Sequence, residues 1–334
     1  MGGETLISFK NVKKSFNGKQ VLKGISFEIK KGEIFGIIGK SGIGKTTVLN
    51  SMVGYLPIDS GEISFNVRGE SKEFEKKICL IKNKTLTLSE CMDLVRKEFG
   101  FSTQFPSFYN NLSVYENLDF FASIYGVKKE YRKERINKML ELFGLKDSGD
   151  ALACELSGGM QKRLDIACAL IHDPFVLVLD EPTADLDPVL RRGIWELLKK
   201  INKAGKTIII ASHFVNELED VCDRVAILHE GAIIKEEAPT ELIDAFIKHF
   251  EVVIETREAS YEDITRTLLK LPSLEIKKIR KEGKELIIYT SRPQNTLVYA
   301  LKQINKSKQK IVEAAIRRPS LAEVFETVTK KEAR

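Results

Sequence analysis

The chain has 334 residues, 43% hydrophobic and 30% charged, which is enough for two domains, one with a large buried core. Its longest apolar run near the middle, Phe175-Val176-Leu177-Val178-Leu179, falls far short of the ~20 residues of a membrane-spanning helix. The net charge of +6 is unevenly placed: from Arg257 onward 18 Lys/Arg stand against 10 Asp/Glu, a basic tail that suits nucleic acid, an anionic membrane leaflet or simply solvent, the last being the preferred reading.

Met1-Gly2-Gly3-Glu4 has neither the basic start nor the apolar stretch of a signal peptide, and Leu6 stands where a myristoylation signal needs Ser or Thr, so the expectation is a cytosolic chain. Leu6 to Val12, Val21 to Ile29, Ile34 to Ile38 and Glu62 to Val67 are apolar or alternating and predict strands, with Gly18, Gly24 and Gly32 between them. Lys72 to Lys84 is charged and patternless. From Asn110 to Ala151 apolar residues recur at helical spacing (Leu118, Phe121, Ile124, Tyr125, then Ile136, Met139, Leu140, Phe143), predicting a helical subdomain over about 105–165. Helix Met160 to Ile171, buried strand Phe175 to Leu179, helix Pro188 to Ala204, strand Thr207 to Ala211, helix Val215 to Cys222 and strand Arg224 to Leu228 then alternate. That rhythm implies an α/β domain over 1–244 with a largely parallel sheet and N-terminal antiparallel strands.

Residues 245–334 change rhythm. Strand Phe250 to Thr256, helix Tyr261 to Leu271, strands Leu274 to Arg280 and Glu285 to Thr290 about a Glu282-Gly283 turn, helix Asn295 to Ile304 and strand Ile311 to Ile316 give βαββαβ, the order of a small ferredoxin-like α+β domain. A terminal helix starts at Ser320, with Glu323 at capping-box spacing. The five cysteines are odd in number and show no C-x-x-C spacing, so they read as reduced, mostly buried thiols, with Cys168 in a core helix. Cys79 and Cys91 lack the further ligands a metal site would need.

Three motifs carry chemistry. Gly39-Lys40-Ser41-Gly42-Ile43-Gly44-Lys45-Thr46 fits G-x-x-x-x-G-K-[ST] between a predicted strand and a predicted helix. Its glycines let backbone N–H groups turn inward on phosphates at a helix N-terminus; Lys45 suits the β/γ-phosphates and the Thr46 hydroxyl suits Mg²⁺. The strand ending in Asp180-Glu181 brings one carboxylate to the phosphate site, where it can hold Mg²⁺ through water, and the next, Glu181, to the place of a general base for water. The third motif, Leu156-Ser157-Gly158-Gly159-Met160, opens a helix and offers a second set of N–H groups for an anion. One chain does not need two phosphate cradles; a nucleotide held by a facing subunit would use the second.

These residues resemble the ATP-binding subunit of ABC transporters, a likeness running through most of Ile7 to Glu241. In that resemblance Gly39 to Thr46 is the Walker A loop of a P-loop NTPase, Val176 to Glu181 the Walker B strand and Leu156 to Met160 the LSGGQ signature, with Met160 in place of the usual Gln. The resemblance assigns ATP binding to Phe16 (stacking on adenine), to Gly39, Lys40, Ser41, Gly42, Ile43, Gly44, Lys45, Thr46 and Thr47, and to Ser157, Gly158, Gly159 and Asp187. Asp187 ends Ala184-Asp185-Leu186-Asp187, which is similar to the D-loop at the dimer interface. Glu181, the switch histidine His213 and the Q-loop glutamine Gln104 receive catalytic roles, and Thr46, Gln104 and Asp180 receive Mg²⁺. The implied partners are a transmembrane permease and a second ATP-binding subunit, identical or paralogous, at the cytoplasmic face of the membrane, with no nucleic acid. Between Gly61 and Gln104 the chain is longer than the resemblance leads one to expect, and Lys72 to Leu88 reads as a surface insertion. Ala315 to Phe325, AIRRPSLAEVF, resembles the closing motif of ATPases that serve ABC-2-type exporters of drugs and sodium. An importer ATPase, or a non-transport ABC ATPase acting on nucleic acid or ribosomes, is the alternative.

Overall fold

The computed structural model describes residues 3–67, 77–82, 97–246, 250–318 and 320–332. The chain divides into two compact units, Met1–Pro239 and Thr240–Arg334.

The first unit holds two sheets. An antiparallel sheet runs in the order β2-β1-β4-β5, from β1 (Thr5–Phe16), β2 (Lys19–Lys30), β4 (Ser60–Val67) and β5 (Lys77–Lys82). The second sheet, β10-β9-β3-β8-β7-β6, is built from β3 (Ile34–Ile38), β6 (Phe99–Ser102), β7 (Val176–Asp180), β8 (Thr207–Ser212), β9 (Arg224–His229) and β10 (Ala232–Glu237). Its strands are parallel apart from β10, which pairs antiparallel with β9. Strands β3, β7 and β8 are buried along their whole length, as their unbroken apolar runs require.

Between the sheets, Phe9 and Phe27 stack with ring centres 4.3 Å apart and Phe27 stacks on Phe35 at 5.7 Å. Val48, Leu49 and Met52 of helix α1 (Lys45–Met52) pack into the same core. The helix into which the Gly39–Thr46 loop runs is thereby anchored to both sheets; truncating Leu49 to Ala would cost about 2–5 kcal/mol. The helical subdomain contains α2 (Val114–Ile124) and α3 (Lys129–Leu142), and α4 (Gly158–Leu170) follows. Ser113 and Glu116 close α2 with a full capping box. Helices α5 (Pro188–Lys203) and α6 (Val215–Glu219) connect β7 to β8 and β8 to β9.

Three strands depart from the sequence reading. The stretch taken as patternless contains β5, paired from Glu62↔Lys82 to Val67↔Lys77 on the edge of the antiparallel sheet. A four-residue apolar centre flanked by lysines is too short for its period to stand out. The remainder of the expected insertion lies outside the described residues, as does Cys91. Strand β6 is only four residues long, and its Gly100 is a packing requirement: a Cβ there would lie 2.1 Å from the Ala169 carbonyl of α4. Strand β10 hides behind Lys235-Glu236-Glu237, but Glu230 (φ 45°) and Gly231 (φ 83°) form the two-residue turn that pairs it with β9.

In the second unit α7 (Pro239–Phe246) precedes β11 (Phe250–Thr256), α8 (Glu262–Leu269), β12 (Ile276–Glu282), β13 (Glu285–Thr290), α9 (Pro293–Lys306), β14 (Ile311–Arg317) and α10 (Leu321–Glu332). The sheet order β12-β13-β11-β14, antiparallel throughout, is that of the ferredoxin-like βαββαβ fold. Val252, Ile254, Ile264, Leu268, Leu286, Ile288, Ala300 and Ile304 form its core. The Tyr261 hydroxyl accepts from the Thr256 N–H at 2.8 Å and donates to the Lys284 carbonyl at 2.6 Å. Ser320 and Glu323 cap α10 reciprocally, at 3.0 and 3.4 Å.

Candidate functional site

The order β3-β8-β7 places three strand ends side by side, each with a functional residue at or just past its C-terminal edge. After β3 the chain turns through Gly42 (φ 74°) and Gly44 (φ 117°), backbone angles that favour glycine, into α1. Gly39 admits no side chain, since a Cβ would lie 2.9 Å from the Leu228 carbonyl of β9. The loop is thus pressed against the sheet and turns back over the start of α1. Lys45 is buried at 5% exposure, its ammonium donating to the carbonyls of Gly39 at 3.0 Å and Lys40 at 3.3 Å. The main chain of Lys40, Ser41 and Ile43 completes the turn, and Thr46 and Thr47 fall in the first turn of α1.

At the end of β7, Asp180 is 2% exposed and accepts from the Thr46 hydroxyl at 2.6 Å through Oδ2. Its Oδ1 is buried without a hydrogen-bond partner. Burial raises the Asp180 pKa above the ordinary carboxylate value; the Thr46 hydroxyl opposes this and the Glu181 charge adds to it. Glu181 is the next residue and sits at φ 49°, a conformation that costs a non-glycine residue on the order of 1 kcal/mol or more. Its carboxylate bridges Lys45 Nζ at 3.3 Å and His213 Nδ1 at 2.9 Å, and accepts from the His213 N–H at 3.3 Å. His213 follows β8 directly, so these residues of β7 and β8 meet because their strands are neighbours. Lys45, Thr46, Asp180, Glu181 and His213 form one cluster, in which the Lys45 ammonium offsets the burial of the carboxylates.

The other expected site residues lie apart from that cluster, and among the described residues no hydrogen bond joins them to it. Phe16, 42% exposed at the end of β1, has the Lys14 ammonium 5.4 Å from its ring centre. Gln104 is exposed two residues beyond β6. Asp187 caps α5, its carboxylate accepting from the N–H groups of Val189 and Leu190, both at 2.9 Å. Helix α4 begins at Gly158, two residues earlier than expected, because Ser157 serves as N-cap and accepts from the Met160 N–H at 3.4 Å. A Cβ at Gly159 would lie 2.8 Å from Leu190 of α5; one at Gly158 would meet nothing within 4 Å. The two glycines therefore have different reasons to be glycine.

The sequence reading missed two supporting networks. Glu217 of α6 accepts from Thr183 at 2.9 Å, Arg191 at 2.9 Å and Trp195 at 3.0 Å, and Arg191 also donates to the Leu186 carbonyl at 2.7 Å while lying over the Phe214 ring. Asp165, 2% exposed, interrupts the apolar run Leu164 to Ala167 of α4. An acid inside such a run is the signal that could have found it.

Residues 22–184 match the family described as ABC transporter. The Nod factor export ATP-binding protein I of Rhizobium sp. (strain N33) is 35% identical over 98% of this chain and 97% of its own length. The linearmycin resistance ATP-binding protein LnrL of Bacillus subtilis (strain 168) is 35% identical over 71% of this chain and 70% of its own. Among solved structures, cbiO1 of Clostridium perfringens, part of the ABC transporter complex cbiONQ, has a TM-score of 0.63 at 30% identity over 81% of this chain and 97% of its own. A dimeric bacterial ABC transporter cassette gives 0.60 at 29% identity over 70% of this chain and 98% of its own.

A glycine-rich loop running into a helix, with two buried carboxylates at the end of β7 and a histidine at the end of β8, defines a P-loop ATPase cassette. The chain belongs to the ABC transporter family, as its ATP-binding, ATP-hydrolysing subunit. Among the described residues no helix is long and apolar enough to cross a membrane.

Proposed function

We propose that this chain powers an export-type transporter by closing over ATP together with a second ATP-binding subunit, identical or closely related, at the cytoplasmic face of a membrane permease. The observation that carries the reading is the single cluster of Lys45, Thr46, Asp180, Glu181 and His213 at the ends of α1, β7 and β8. The direction of transport rests on relatives named for Nod factor export and for linearmycin resistance. The basic second unit is taken to face solvent or the complex, and no nucleic acid is expected.

In this reading the N–H groups of Gly39 to Thr47 cradle the phosphates, Lys45 neutralises them and Phe16 covers the adenine. Thr46 and Asp180 suit a divalent cation, because the buried Asp180 Oδ1 has no other partner, and Gln104 completes that set. Mg²⁺ bound there would offset phosphate charge during transfer. Glu181 takes a proton from the attacking water; its carboxylate is held by Lys45 and His213, so its orientation is fixed beforehand. Ser157, Gly158 and Gly159 present their N–H groups to the nucleotide of the facing subunit, with Asp187 at the same interface.

Glu181→Gln should bind ATP, hydrolyse it about 100-fold or more slowly and accumulate as a dimer; near-normal turnover would remove Glu181 from the base role. Ser157→Arg should abolish hydrolysis while a single subunit still binds nucleotide. Loss of that binding would contradict the two-chain arrangement.

A further inference from the structure

The loop that carries Gln104 is held on both sides of Gln104 by the helix that carries the glycine pair. Strand β6 ends at Ser102, in parallel register with Leu179 and so beside Asp180. Asp165 of α4 accepts from the Ser102 hydroxyl through Oδ2 at 2.5 Å and from the Ser107 N–H through Oδ1 at 2.9 Å. Lys162, one turn earlier on α4, donates to the Ser102 hydroxyl and the Thr103 carbonyl, each at 3.2 Å, and reaches Asp165 at 3.5 Å. The Asp165 side chain is 1% exposed and that of Lys162 12%. The backbones of β6 and α4 are themselves in contact at Gly100 and Ala169, where no side chain fits.

A carboxylate buried this deeply loses several kcal/mol of hydration, which its donors must offset. An apolar residue would join α4 to β6 without that cost. What the carboxylate adds is direction: each oxygen holds one side of the loop that carries the exposed Gln104, and Lys162 fixes the carbonyl just before Gln104. About one turn before Lys162, the same helix starts at Gly158 with Ser157 as its N-cap.

We propose that Asp165, with Lys162, is a positioning residue that locks the Gln104 loop to α4, so that movement of Gln104 is passed on as movement of Ser157 and Gly158. The proposal rests on the roles given above to Gln104 and the glycine pair. It accounts for a buried acid inside the apolar run Leu164 to Ala167. It also makes one side of the site responsive to the other through a contact that touches no nucleotide.

The test uses the full chain and MgATP. Asp165→Asn keeps the shape but removes the charge and one acceptor; Ser102→Ala removes one donor and leaves the Asp165–Lys162 pair intact, and it carries the test if Asp165→Asn does not fold. Each should lower kcat about 10–100-fold through misplacement of the loop, with KM within about twofold. The double variant should be little worse than the worse single one. In a Glu181→Gln background, Asp165→Asn should also reduce the ATP-dependent dimer. A purely structural role predicts the opposite pattern: kcat per folded molecule unchanged, with only the melting temperature lowered. Normal kcat, additive losses or undiminished dimer would overturn the proposal. Turnover surviving in Glu181→Gln or Ser157→Arg controls would instead overturn the reading of the site itself. With both controls inactive and Asp165→Asn at full rate, only the positioning role falls.

Discussion

Adding one methyl group to each glycine of the signature in turn should move stability in opposite directions. At Gly159 a Cβ would stand 2.8 and 3.0 Å from the two Leu190 methyl carbons and 3.3 Å from Cγ. Carbon atoms pack best at about 3.5–4.0 Å, so Leu190 must move by several tenths of an ångström. Its backbone N–H is tied to Asp187 in the first turn of α5, which restricts that movement. Overpacking of this kind costs about 1–3 kcal/mol, and the gain in helix propensity returns up to about 1 kcal/mol. Gly159→Ala should therefore lose about 0–3 kcal/mol.

At Gly158 nothing lies within 4 Å and φ is not positive, so Ala fits without strain and stabilises by about 0.4–1 kcal/mol through the unfolded chain. For a unit of this size each kcal/mol moves Tm by about 2–4 °C. Thermal melts without nucleotide should thus show Gly158→Ala slightly above the parent and Gly159→Ala at or below it. Hydrolysis should fall in both, by about tenfold or more for Gly158→Ala if its open side meets a phosphate in the closed complex. A Gly158→Ala protein that melts higher and hydrolyses ATP at the parent rate would refute the reasoning, since that side would then face only water. A lower melting temperature for Gly158→Ala would refute the packing half of it.

Three further perturbations test other parts of the molecule. Gly100→Ala places a methyl 2.1 Å from the Ala169 carbonyl, a backbone atom that cannot rotate away, and should cost about 3 kcal/mol or more, seen as loss of folded protein on expression or a large drop in Tm. His172 stacks on Tyr125 at 3.8 Å, and burial lowers its pKa from 6.5 to about 4, so the unfolded chain takes up the proton first as pH falls. Its contribution is complete above pH 6.5 and is lost between there and about 4, up to about 3 kcal/mol, and denaturant titrations of His172→Gln should show a flatter profile over that interval. Tyr261→Phe strands the buried Thr256 N–H and the Lys284 carbonyl and should cost the second unit about 1–3 kcal/mol, read by faster amide exchange at Thr256.

What the sequence made legible was what repeats locally or is written in a short motif. The runs Ile34 to Ile38, Val176 to Asp180 and Thr207 to Ser212 are apolar because both faces of these strands are covered, and each was readable as a strand. The phosphate loop was readable because glycine, lysine and threonine must sit at fixed offsets. Strands β5, β6 and β10 were not, being short or rich in charge, and they hold their places through pairing with a neighbour rather than through any pattern of their own. The same holds within the site. Asp180 and Glu181 could be found from an apolar run that ends in acids, whereas the Asp165 and Glu217 networks join residues some 60 and 22–34 positions apart, and nothing in the sequence ties one end to the other.

The residues proposed to face a second subunit differ in how far their own fold explains them. Asp187 caps α5, and an N-cap is reason enough for an aspartate there. Gly159 is required by Leu190, and Ser157 caps α4. Gly158 alone of these has no structural need to be glycine: its backbone angles suit any residue, its neighbours leave room, and Ala would make the helix more stable. A glycine kept at a cost to helix stability, at the exposed start of a helix whose N–H groups point outward, is best accounted for by close approach of a ligand to that backbone. The proposed two-chain site therefore stands or falls with Gly158 more than with any other signature residue.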